Sequence, residues 1–163
     1  MNREIMLRRR IKLLTWLFIL GLVVSGATAI PLLGELNWLA DGLGLKTETC
    51  ELARWLTRVR DALAQTQSQH PFLFYGTDWL AFGHFMIALV FVGALRDPVR
   101  NRWLFDFGLI ACALVIPYAF TFRALRGIPL WWRLMDCSFG VFGFVPLWFC
   151  RKWTGELEQL GSR

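Results

Sequence analysis

Six residues in this chain combine a chemically able side chain with an apolar setting: Asp78, His84, Arg123, Arg126, Arg133 and Asp136. His84 and Asp136 stand inside long apolar runs, where an ionisable group is costly and marks a functional position by default. Arginines hold phosphate through charge-assisted bonds. Histidine changes its charge near neutral pH and serves as a general base. Arg123, Arg126 and Arg133 around an anionic headgroup, with Asp136 orienting His84, would make a binding site or a centre for phosphoryl or acyl transfer. His84 and Asp136 are then the catalytic candidates. The nearest hydroxyl is Ser138, and it lacks the strand-turn-helix setting of an activated serine. The same residues also have a structural reading, which is the one adopted here. Arg133 and Asp136 are spaced i,i+3 for a pair within one helix, and His84 can bond to a neighbouring helix.

The elements that carry these residues are apolar runs. Four are long enough to cross a hydrocarbon core of about 30 Å: residues 11–33, 78–95, 103–122 and 129–150. Lipid offers no partner to open backbone groups, so each must be helical. Pro117 and Pro146 fall inside the third and fourth. Arg133, Asp136, Gly140 and Gly143 recur at i, i+3, i+7 and i+10, a single stripe of the fourth helix. Glycines there allow another helix to come close, so Asp136 is expected to face protein. Counted from the starts of their runs, Asp136 lies roughly 10 Å and His84 roughly 9 Å along the helix axis.

Composition agrees. The 163 residues are 56% hydrophobic and 18% charged, and include nine Trp and fourteen Phe, against about 25% charged in soluble domains. The net charge of +6 does not point to nucleic acid, because the basic residues flank the apolar runs. That is the pattern of topology signals and anionic-lipid contacts. Arg3, Arg8, Arg9, Arg10 and Lys12, then Arg96, Arg100 and Arg102, then Arg151, Lys152 and Arg163 fall on one side of four spans, which the positive-inside rule makes the cytoplasm. Both termini are then inside and the loop 34–77 is outside. The first run also has the outline of a cleavable signal peptide, with a small-x-small site at Ala27 and Ala29. Its apolar stretch continues through Ile30–Leu33, which favours a retained helix.

The outer loop is long for a connection. Leu52, Trp55, Leu56, Val59 and Leu63 share one helical face, so an amphipathic helix is expected over about residues 47–68, at the interface or as a lid. Cys50 and Cys137 both fall on the outer half, where an oxidising compartment would allow a pair. No metal-ligand spacing is present, and no cofactor is expected. A b-type haem would call for two axial histidines, and His70 lies in the loop. Arg102 with Asp106, and Asp97 with Arg100, read as local pairs at helix ends.

Two runs carry a resemblance. "YGTDWLAFGHFMIALVFVGALRDPVRNRW" and "RGIPLWWRLMDCSFGVFGFVPLW" resemble a group of small four-helix bacterial inner-membrane proteins of uncharacterised activity, which implies a bacterial inner membrane. Asp78, His84, Arg133, Asp136, Gly140 and Gly143 more distantly resemble the VanZ-like family. Here Asp78 and His84 are six apart, wider than that family's spacing, and Gly140 stands where it tends to have Asn. The likeness is architectural and does not carry a function.

The expected fold is all-α: a single membrane domain over residues 1–163, with four transmembrane helices and an interfacial helix in the first outer loop. The leading functional expectation is a non-catalytic subunit or assembly factor of a membrane complex, or a homo-oligomer. Binding of, or chemistry on, an anionic lipid headgroup is the alternative. A transporter component is a third, with Asp136 and His84 as relay residues. That reading is the poorest, because no repeat or broken helix is evident.

Overall fold

The computed structural model describes residues 2–42 and 50–161, with the side chains of residues 2, 123 and 124 outside the description. The described residues are helical almost throughout and contain no strand. In chain order they form α1 (Asn2–Thr28), α2 (Leu32–Gly42), α3 (Glu51–Gln69), a 3₁₀ turn (Pro71–Phe74), α4 (Tyr75–Arg96), α5 (Arg102–Leu125) and α6 (Leu130–Gly161). Four stretches are long and apolar enough to cross a membrane: Arg3–Thr28, Pro71–Arg96, Arg102–Phe122 and Leu130–Gly161.

Besides the early start of α1 at Asn2, nine residues before the expected span, the boundaries depart from the sequence reading in three places. The first apolar run does not continue to Leu33 as one helix. Its end tightens at Ala29 and Ile30, whose N–H groups donate to Gly26 and Ala27. Pro31, which disfavours helix in the residue before it, then separates α1 from α2. The second departure is α6, which runs eleven residues past Cys150 to Gly161. At 32 residues it is about 48 Å long, more than a bilayer core needs. Third, the outer-loop helix begins at Glu51, while residues 47–49 of the expected segment lie outside the described residues. Cys50 caps α3 by accepting from the Ala53 N–H. Along α3, Ala53 and Leu56 are buried and Leu52 is exposed. Pro117 and Pro146 are both accommodated inside continuous helices.

The chain divides into two compact units. The first joins Met1–Gly21 to Ala88–Arg163. Its core is Leu7, Ile11 and Ile19 of α1, Phe91 of α4, Leu104 and Phe105 of α5, and Leu147, Cys150 and Leu157 of α6, all buried. Phe91 is central, its ring 4.8 Å from Phe18 and 6.5 Å from Phe105. Helices α5 and α6 lie against each other along much of their length. The reason is visible at Gly140: a Cβ there would stand 2.8 Å from the Cys112 carbonyl oxygen, a spacing only glycine permits. The turn from α4 to α5 is closed by Asp97, which accepts from the Val99 and Arg100 N–H groups, and by Asn101, whose amide donates to the Gly93 and Asp97 carbonyls.

The second unit is Leu22–Ile87. Here α1 meets α4 where Gly26 lies against Ala81, His84 and Phe85. Helix α3 packs on α2 and on the 3₁₀ turn. A half-open groove of about 270 Å³ runs between Ile30–Gly34, Gln67, Pro71 and Phe74.

Candidate functional site

The six sequence candidates fall into two sets. Asp78 and His84 belong to the second unit, and Arg123, Arg126, Arg133 and Asp136 to the first. Each set is taken by itself.

In the second unit, Asp78 is in the first turn of α4 and exposed. His84 is nine residues into α4, about 14 Å along its axis. Its Nδ1–H donates to the Leu80 carbonyl one turn back, at 2.8 Å. A neutral imidazole held this way has Nε2 as its acceptor. His84 thus turns to its own helix, while its Cβ packs on Gly26 of α1.

In the first unit, the Arg123 side chain lies outside the described residues. Arg126 is exposed in the turn after α5. Arg133 and Asp136 are half-buried on α6. The two glycines of the stripe read from the sequence do face α5, since Gly140 abuts the Cys112 carbonyl oxygen and Gly143 abuts Cys112 Sγ. The i,i+3 pair is a different matter. Arg133 Nε is buried without a hydrogen-bond partner among the described residues, and no Arg133–Asp136 bridge occurs among their ion pairs. Ser138 donates to the Met135 carbonyl at 2.6 Å, which ties the nearest hydroxyl into its own helix. This end of α6 thus carries one arginine and one carboxylate, Arg133 and Asp136, both half-buried beside Trp131 and Trp132.

The opposite end of the first unit is more strongly built, and the sequence reading missed it. Arg102 does not bond to Asp106. It pairs instead with Glu158 at 2.5 Å, and Asp106 pairs with Arg151 at 2.5 Å. Arg3 pairs with Glu156 at 3.0 Å. All three bridges tie α6 beyond its apolar run to α1 or α5. Buried between α1 and α6, the Thr15 hydroxyl donates to the Ile11 carbonyl and lies 3.8 Å from Cys150 Sγ. Thr154 donates to the Cys150 carbonyl. The signal was present in the sequence: Cys150, Thr154 and Leu157 keep the helical spacing past the last apolar run. The four cysteines are all free. No group of three or more metal-ligating side chains stands together among the described residues.

No family model, no curated protein and no solved structure matches the chain.

Proposed function

We propose that this chain is an integral protein of a bacterial inner membrane, with both termini cytoplasmic and residues 34–77 outside, and that it serves as a non-catalytic subunit or accessory factor of a larger membrane complex. The supporting observation is the apolar surface its spans leave uncovered. In the most apolar stretch of each, only 22% of residues are buried. On α6, Phe139 and Phe142 are 68% and 75% exposed. Large aromatic side chains outside the core suit docking against another membrane helix as well as lipid. Helix α3, on this reading, lies along the outer interface.

The test is purification of the tagged chain in a mild detergent after cross-linking in its native membrane. A defined larger species containing a second polypeptide is the expected result. A species of one copy only, at every detergent level, would remove the accessory reading.

Arg133 supports a second reading. A half-buried guanidinium whose Nε has no hydrogen-bond partner among the described residues, one turn into α6, suits an anionic headgroup at the outer leaflet, with Arg123, Arg126 and Asp136 of the same unit as the other candidates. Loss of a co-purifying lipid phosphate in Arg133→Gln supports it, and unchanged lipid content would count against it.

A further inference from the structure

The charge at the end of the first unit that holds both α1's start and α6's tail is unbalanced in a specific way. Every described carboxylate there is engaged. Glu4 accepts from Arg8, Asp97 from two backbone N–H groups, Asp106 from Arg151, Glu156 from Arg3 and Glu158 from Arg102. Arg9, Arg10, Lys12, Arg96, Arg100 and Lys152 have no carboxylate partner among the described residues.

Two of these cations flank one seam. Helices α1 and α6 run antiparallel, as the contacts Arg3–Glu156, Arg10–Trp153 and Thr15–Cys150 require. The Arg10 guanidinium carbon lies over the Trp153 ring, 5.7 Å from its centroid, which fixes the head of a long side chain. Trp153 is itself 5.5 Å from Phe149. On α1, Arg10, Leu13 and Leu17 share a face at i, i+3 and i+7. On α6, Lys152, Phe149 and Val145 do the same in the opposite direction. Leu13, Leu17, Phe149 and Val145 are all exposed, and Lys152 is exposed.

We propose that this seam holds an anionic phospholipid, with its phosphate on Arg10 and Lys152 and an acyl chain along Leu13, Leu17, Phe149 and Val145. A cation on each helix, followed on the same face by exposed apolar side chains, matches an amphiphile: charge at one end, hydrocarbon below. A nucleic acid or an acidic peptide would use the cations and have no use for the apolar faces. The inference rests on the reading that α1 and α6 cross a bilayer. It does not depend on a protein partner.

The experiment is native mass spectrometry of the full chain in mild detergent, titrated with dioleoyl phosphatidylglycerol or dioleoyl phosphatidylcholine. Wild type should prefer the anionic lipid. Each cation removed should cost about fivefold in that preference, so Arg10→Gln/Lys152→Gln should bind both lipids nearly alike, and Lys152→Gln alone should be intermediate. Arg96→Gln/Arg100→Gln removes as much charge elsewhere and should keep the wild-type preference. Equal loss in that control would reduce the effect to diffuse charge and overturn the site, as would an unchanged preference in Arg10→Gln/Lys152→Gln. Alkaline extraction of native membranes separates the two levels. Release of wild type into the supernatant removes the spanning reading, whereas retention with no lipid preference removes this inference alone.

Discussion

At the scale of single residues, Gly140 carries the strongest constraint in the first unit. A side chain there meets a backbone carbonyl, which cannot move aside as the end of a flexible side chain could. Overpacking of this kind typically costs about 1–3 kcal/mol. Gly140→Leu should lower the thermal midpoint of the detergent-solubilised protein clearly. Gly21→Ala, where nothing lies within 4 Å of the added Cβ, should not. Equal midpoints for the two variants would mean that α5 and α6 do not meet backbone to backbone. This seam was legible in the sequence, because glycine spacing on an apolar helix has one common physical use. The side-chain partners were not legible. Spacing allows Arg133 to reach Asp136 and Arg102 to reach Asp106. Which of several reachable carboxylates an arginine takes is decided by the neighbouring helix, and spacing along one helix carries no information about it.

At the scale of elements, the apolar runs located the four long helices and misplaced chiefly the ends of the first and the last. Hydropathy marks what suits lipid, whereas a helix continues for as long as its backbone bonds and its packed face continue. Helix α6 passes Cys150 because Thr154 and Leu157 extend its buried face and because Glu156 and Glu158 reach Arg3 and Arg102. Helix α2 was missed for the converse reason: Pro31 divides an apolar run that hydropathy reads as continuous. The bridges of the α6 tail are partly exposed, so each should contribute little, about 0.2–1 kcal/mol. A double-mutant cycle with Arg151→Gln and Asp106→Asn should give a coupling energy in that range, read from chemical unfolding in detergent. The coupling should shrink as salt is raised, because exposed pairs are screened. A coupling that ignores salt would show the pair to be far more enclosed than its partial exposure indicates.

At the scale of the whole molecule, the decisive property is which end faces which compartment, and the cysteines supply a probe that needs no new residue. Cys50 is exposed at the start of α3, while Cys137 and Cys150 are buried and Cys112 is half-buried within α5. A membrane-impermeant maleimide should therefore reach Cys50 before any other thiol. If the basic segments are cytoplasmic, as the positive-inside rule demands, then Cys50 faces outward. Intact cells should be labelled at one thiol, and Cys50→Ser should abolish the label. Labelling that appears only after the inner membrane is opened would invert the topology. The cations of Arg10 and Lys152 would then face the outer leaflet, and Arg126 and Arg133 the inner one. Both lipid readings would survive that inversion in their chemistry and exchange their leaflets, since each depends on which residues share a seam and neither depends on which side of the membrane the seam opens.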